Sequence, residues 1–522
     1  MKSRLLIFLV ALGFATYSKA QVPSSAEIDQ LAQKAIDGFG IPGVAIAIIK
    51  DGKVIHSKGY GVCSLQRSQK VDENTVFEIA SNTKAFTAAA VGILVDEGKL
   101  SWDDKVQKYI PEFEMYDPYV SREFTIRDLL SHHSGLADGA GDLMILPDST
   151  DFSIGDIIRN MKYLKPAYSF RTRFGYSNLL YTIAGEIVAR RSGMSYDDFI
   201  EKRIMQPLGM NESAASYERL RDKSNVADAH ALVNGKVQVV ATNTLKRAHP
   251  AGGINASLAD MEKWILLQLN DGKYGDKLDK QLFSAQVHTE LWAPQTLLPV
   301  YPWMGYDTHF AAYAMGFEVY NIMGNNRFLR HGGSLDGMMS QVFMLPELHI
   351  GVIILTNQEA FLGLNAIANQ IKDRCLGIND SDRISENLAR YQKGMKADQD
   401  VKDSVEKSLQ QIISKSGNNS EKEKTVVGRY EDVWMGTVLI NKQNGKLMLS
   451  FKRSPKLTGN LYFYKDNTYV VKWNDRRMNA DAYVKFETGK DGKASGFTLA
   501  AISPDTDFSF DFQDLTFKRS KE

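Results

Sequence analysis

Only two cysteines, Cys63 and Cys375, occur in 522 residues. Two thiols exclude a multi-disulfide scaffold and a four-cysteine zinc site. A core of this size needs no covalent staple, so both are expected to be free and buried, although the sequence leaves open whether they pair. An excess of one charge is equally absent: 63 lysines and arginines stand against 62 aspartates and glutamates. That balance argues against nucleic acid as a ligand, which needs a basic excess. No run approaches the roughly 18 apolar residues of a membrane span. The nine histidines include no metal-type pair on a helix, and the adjacent His132 and His133 are read as structural; neither metal nor cofactor is expected. Apolar content of 43% and charged content of 24% exclude disorder and collagen-like repeats.

What is present begins with an address. Lys2 and Arg4 precede an apolar stretch from Leu5 to Ala15, and Ser18-Lys19-Ala20 is a small-x-small cleavage site, so residues 1–20 read as a signal peptide. Cleavage removes three of the 63 cations and none of the 62 acids, leaving a net charge of −2. The residue directly after the cleavage site is Gln21 and not a cysteine, so no lipoprotein signal is read. A periplasmic or secreted protein is expected.

The length favours about three units. Gly43 to Ile49 reads as an apolar strand, Asp51-Gly52 as a tight turn and Lys53 to Val62 as the returning strand. Phe77 to Glu97 reads as a long buried helix, with further helices at Thr125 to Leu130 and Ser177 to Arg191. Met339 to Leu345 and Ile350 to Thr356 form a second apolar hairpin. Strands at both ends predict a sheet closed by the two extremities of residues 21–379, with helices inserted between them. Residues 380–424 are charged and helix-prone, ending in a linker composition from Ser414 to Ser420. Residues 425–522 alternate short β-type runs with turns and read as a small barrel. There, Phe508, Phe510 and Phe512 are expected on one strand face, with a bulge before Leu515 and Phe517.

Two motifs fail. Gly38-Phe39-Gly40-Ile41-Pro42-Gly43 spells a dinucleotide fingerprint but precedes a strand, and Pro42 removes a needed amide. No Gly-x-Ser-x-Gly elbow occurs. The productive motif is Ser81-Asn82-Thr83-Lys84 at a helix start. Residues i and i+3 share a helix face, so the Lys84 amine can reach the Ser81 hydroxyl. A desolvated lysine has a lowered pKa and can take the serine proton, while the helix N-terminus favours a developing oxyanion. Alone the tetrad is weak: Ser404-Val405-Glu406-Lys407 repeats it on a charged stretch and is read as surface.

Tyr176-Ser177-Asn178 and His331-Gly332-Gly333-Ser334 lift it. Taken singly, Tyr176 and Asn178 read as a helix start with an Asn cap. Ser-x-x-Lys, Tyr-x-Asn and His-x-Gly, in that order before a terminal strand pair, resemble the serine β-lactamase and penicillin-binding-protein superfamily, in its class C β-lactamase, D-amino-acid peptidase and esterase branch. The resemblance covers about residues 25 to 375, and Val427 to Phe517 is similar to the lipocalin-like domain behind some members. It implies an α/β (α+β) fold, a helix-flanked β-lactamase/transpeptidase-like sheet followed by a small all-β barrel. It further implies Ser81 as nucleophile, Lys84 as base and Tyr176 as proton shuttle. Substrate contacts would come from Asn178, His331, Gly333 and Ser334, with the Ser81 and Ser334 amides as oxyanion hole. Penicillin-active members usually carry a lysine where His331 stands, a fixed cation for the substrate carboxylate. Histidine is mostly neutral at pH 7, which argues against an efficient β-lactamase.

Three readings follow. The first is a secreted serine hydrolase acting on a small ester, amide or peptide through an acyl-enzyme. The second is an acyltransferase with a bulky apolar alcohol as acceptor, polyketide- or sterol/bile-acid-like. The third is a non-catalytic binding or sensor module, against which the complete Ser-Lys-Tyr-Asn set counts. The aromatic stretch from Trp292 to Phe317 reads as core in preference to a wall over the cleft. Nothing in the β tail reads as catalytic, and the catalytic constellation is expected wholly before residue 340, with the tail free to bind ligand, cap the active site or mediate assembly. Assembly into a homo-oligomer stays open.

Overall fold

The computed structural model describes residues 22–520 apart from 234, 416–419 and 505; the expected signal peptide and the centre of the expected linker lie outside the described residues. Helix α1 (Ser25–Phe39) opens on a capping box between Ser24 and Glu27 and closes at Gly40, whose φ of 68° suits a residue without Cβ. Ile28, Ala32, Ala35 and Phe39 form its buried stripe.

That stripe covers one face of a nine-stranded antiparallel sheet. Its centre is β1 (Gly43–Lys50), paired with β2 (Lys53–Ser64) on one side. On the other side lies β5 (Ile350–Thr356), in the register Val44↔Thr356, so the extremities meet as expected. β3 (Asn326–Leu335) and β4 (Met338–Leu345) continue the sheet outward. β1 is apolar from Gly43 to Ile49 because both its faces are buried there. Val44, Ile46 and Ile48 face α1 and the helix Phe361–Cys375, while Ala45, Ala47 and Ile49 face the helical region. Cys63 and Cys375 are buried and free.

The helical region centres on α2 (Thr83–Asp96), buried on nearly every side, with Phe86 stacked on Trp264 at 3.8 Å between ring centroids. The expected helix from Phe77 to Glu97 is shortened at its start. Val76–Glu78 is a strand paired with Asn255–Ser257, followed by the 3-10 turn Ala80–Asn82. Pairing with a distant segment outweighs the local helical pattern. α3 (Asn178–Ser192) packs against α2.

α4 (Arg383–Lys415) is a single helix, from which Glu406 reaches Lys472 in the C-terminal unit. Ser404 and Lys407 lie on its exposed surface. The C-terminal unit is a closed eight-stranded barrel, joined where Tyr430 pairs with Arg519. Aromatic side chains fill it, among them Tyr430, Phe451, Trp473, Phe486, Phe497 and Phe517. The expected strand of alternating phenylalanines is not formed. Residues 506–515 are a loop containing the 3-10 turn Phe512–Asp514, and the last strand is Thr516–Arg519. Phe512 and Leu515 turn inward while Phe508 stays 47% exposed, so no bulge is needed. Among the described residues no helix is long and apolar enough to cross a membrane, and no group of His, Cys, Asp or Glu could hold a metal ion.

Candidate active site

The 3-10 turn before α2 is bolted to the sheet. Ser340 on β4 donates to the Ile79 carbonyl at 2.6 Å and accepts from Asn82 Nδ2 at 2.8 Å. Gly333 on β3 lets the two segments touch, because a Cβ there would lie 2.2 Å from the Ile79 oxygen. Ala80 takes a φ of 48°, a left-handed conformation unfavourable for a residue with a Cβ. The strained turn presents Ser81 half-buried, while Lys84, one turn on, is wholly buried.

Lys84 Nζ lies 3.0 Å from Ser81 Oγ, 2.8 Å from Asn178 Oδ1 and 2.8 Å from the Ala251 carbonyl. Burial pushes its pKa down to about 7, with Asp142 pulling the other way. Tyr176 donates to the same Ser81 oxygen at 2.7 Å, and the Lys84 amine stands 4.7 Å from the centre of its ring. Burial holds the Tyr176 phenol above its ordinary range. Tyr176 and Asn178 flank the start of α3, where Ser177, not Asn178, is the N-cap. Asn178 Nδ2 donates instead to Asp142 Oδ2 at 2.8 Å. Ser81, Lys84, Tyr176 and Asn178, spread over nearly a hundred residues, thus share one hydrogen-bonded cluster.

The third motif is placed differently. His331 is only 4% exposed. Its Nδ1 meets the Gly332 carbonyl at 2.7 Å and its Nε2 the Tyr313 hydroxyl at 3.1 Å. With Nδ1 as donor, Nε2 accepts from Tyr313, which is the neutral tautomer. Burial, then the Lys84 charge, push His331 down to about 4. It faces Tyr313. Ser334 is exposed, opposite Met339 in the β3–β4 register.

Sequence reasoning missed several members of this neighbourhood. His132 is more than structural filler at a distance: its ring lies 4.5 Å from that of Tyr176 and 4.6 Å from that of Tyr313, and its Nδ1 accepts from the Ser177 amide at 3.1 Å. Burial keeps it neutral. The Ser131-His132-His133-Ser134-Gly135 stretch carried a signal for it; nothing in the sequence marked Asp142. Of the aromatic stretch, Tyr313 joins the cluster, Tyr306 bonds Asp373 within the other core, and Tyr301 and Phe310 are exposed. The residues named from the sequence all precede residue 340, and the barrel reaches their neighbourhood from outside. Phe508 of the barrel meets the Tyr176 ring edge-on at 5.9 Å, and Ser509 Oγ donates to Asp142 Oδ2 at 3.1 Å.

With that geometry in view, the comparisons are specific. A domain of unknown function, DUF3471, matches residues 414–519. An unguisins hydrolase of Aspergillus violaceofuscus is 28% identical over 385 residues, 69% of this chain and 66% of that protein. Protein flp of Staphylococcus aureus is 30% identical over 343 residues, 64% of this chain and 63% of its own. The chain thus spans just under two thirds of the length of these curated relatives. The octameric penicillin-binding protein homologue from Pyrococcus abyssi superposes with a TM-score of 0.59 at 22% identity, covering 94% of this chain and 99% of that one, a likeness of fold. The beta-lactamase family model matches residues 28–372, well over half of the chain, and the protein belongs to that family, within the serine β-lactamase and penicillin-binding-protein superfamily.

Proposed function

We propose that the protein is a serine hydrolase that acts on a small ester, amide or peptide through an acyl-enzyme. The observation that carries this reading is the convergence of Lys84 Nζ, at 3.0 Å, and the Tyr176 hydroxyl, at 2.7 Å, on one serine oxygen. A lysine with a pKa near 7 is substantially unprotonated at neutral pH and suited to general-base work. As the Ser81 Oγ–carbon bond forms, Lys84 takes the serine proton and the carbonyl electrons move to oxygen. The backbone amides of Ser81 and Ser334 would receive that oxyanion. Collapse breaks the bond to the leaving group, which takes a proton from Tyr176, and Lys84 returns its proton to Tyr176. Water then enters along the same relay in reverse and frees the acid, restoring the Ser81 hydroxyl.

Transfer to an alcohol would use the same acyl-enzyme. Hydrolysis is preferred because the fungal relatives carry hydrolase in their names. Residues 1–20 are proposed to export the protein to the periplasm or medium. The test is intact-mass analysis after a fluorophosphonate. One adduct on the Ser81 peptide, lost in Ser81→Ala, supports the reading; labelling elsewhere refutes it.

A further inference from the structure

We infer that the C-terminal barrel supplies a positioning residue to the candidate site: Ser509 holds Asp142, which in turn holds Asn178 against Lys84. The inference rests on the acyl-enzyme reading above and extends it to the second folding unit.

Three contacts set the loop between the last two barrel strands on one short segment of the catalytic unit. Phe508 covers Gly139, where a Cβ would meet its ring at 2.6 Å and its carbonyl oxygen at 2.7 Å. Asp511 Oδ2 accepts from the Gly141 amide at 2.5 Å. Ser509 Oγ, itself 5% exposed, donates to Asp142 Oδ2 at 3.1 Å. Elsewhere the units are clamped by Arg453, which pairs with Asp151 at 2.7 Å and Asp156 at 2.9 Å and lies over the Phe152 ring.

Asp142 has no exposed surface, and its Oδ1 lacks a protein partner. A carboxylate so placed is costly unless donors satisfy it. Its two side-chain donors are Asn178 Nδ2 and Ser509 Oγ, on the same oxygen. The titratable groups facing it are Lys84, which favours the anion, Asp507, which opposes it, and Asp511, whose own carboxyl burial pushes well above its ordinary range. Lys84 in turn is faced by Asp142, by the buried His132 and His331, and by the Tyr176 and Tyr181 rings. The state of Asp142 matters because an amide has two ends. An anionic Asp142 accepts from Nδ2 and so turns Oδ1 toward Lys84. A protonated Asp142 can donate instead, and the flipped amide would set an N–H against the lysine ammonium. By donating to Oδ2, Ser509 favours the anion and the productive orientation of Asn178.

The test uses full-length protein, a small p-nitrophenyl ester and two substitutions. Ser509→Ala is expected to lower kcat roughly three- to tenfold, the size of one ordinary hydrogen bond because Ser509 acts only through Asp142 and Asn178, with KM changed less than about twofold. Its acid limb should move to lower pH by about half a unit, since a more readily protonated Asp142 withdraws the counter-charge that keeps Lys84 protonated. Ser509→Thr, which keeps the hydroxyl, should restore both kcat and the limb. A wild-type kcat and limb in Ser509→Ala would overturn the inference, as would loss of activity in both variants with an unmoved limb, which would mark a packing role. Fluorophosphonate labelling separates the two levels. If wild type is labelled at Ser81 and Ser509→Ala matches it in rate and pH profile, only the positioning role falls; if wild type is not labelled at Ser81, the acyl-enzyme reading falls with it.

Discussion

Lys84 Nζ and the carbonyl oxygen of Ala251 lie 2.8 Å apart, and that contact decides how the amine can act. A neutral amine has two hydrogens and one lone pair. With one hydrogen on Ala251 and the other on Asn178 Oδ1, the lone pair is left facing Ser81 Oγ. In the proposed mechanism the Ala251 carbonyl would thereby aim the amine.

Ser81→Ala and Lys84→Met are each expected to lower turnover roughly a thousandfold or more, because nucleophile and base act as a unit. Lys84→Met should fold at least as well as wild type, since it removes a buried amine that resists charging. Steady-state kinetics and thermal melts check both statements; a Lys84→Met enzyme with near-normal kcat would remove Lys84 from the mechanism.

The acid limb of kcat/KM should be centred near pH 7. The competent form carries neutral Lys84, whose pKa is held at about 7, so activity rises with pH through that value. No alkaline limb is expected from Tyr176 in the accessible range, because its phenol is pushed upward. A limb below pH 5 would assign the base to another group.

Glu78, beside the turn that bears Ser81, is 2% exposed and pushed up to about 8, first by burial and then by Asp336. The folded state therefore keeps a proton that the unfolded state releases near pH 4.5. Stability from this group is full below about pH 4.5 and is lost as pH rises toward 8. Glu78→Gln should accordingly gain Tm over wild type progressively between those limits, read by melts at pH 5, 6.5 and 8. A Tm difference that does not grow with pH would contradict the assignment.

Penicillin and cephalosporin turnover should be weak. His331 is uncharged at neutral pH and bonded to Tyr313, so it offers no fixed cation to a carboxylate. Nitrocefin hydrolysis with kcat/KM of about 10⁶ M⁻¹s⁻¹ or more would refute this. His331→Lys should destabilise the fold, because it buries an ammonium near Lys84 and Arg330.

Motif order makes much of this legible in the sequence alone. The spacing in Ser81-Asn82-Thr83-Lys84 specifies one helix face, and β1 with β5 announced themselves as apolar runs. The failures share a cause. Phe77 and Glu78 fit a helical pattern locally, but their partners are Asn255–Ser257, far along the chain. The Phe508–Phe512 alternation has strand periodicity, but the barrel closes through Thr516–Arg519 and leaves the phenylalanines to a loop.

By itself the sequence determined the elements and the chemistry borne by adjacent residues: a buried β1, a serine one helical turn from a lysine, a β tail after a charged helix. These depend on periodicities of two and 3.6 residues, which local order encodes. Only the tertiary structure decided that Asp142, Ala251 and His132 gather around Lys84 and Asn178, and that Ser509 joins them through Asp142. Such contacts come from loops whose approach is set by packing of the whole chain, and a buried polar group's partners are chosen by space, not by sequence separation. That is why Ser509, from the last strand connection of the barrel, lies two hydrogen-bonded residues from the candidate base.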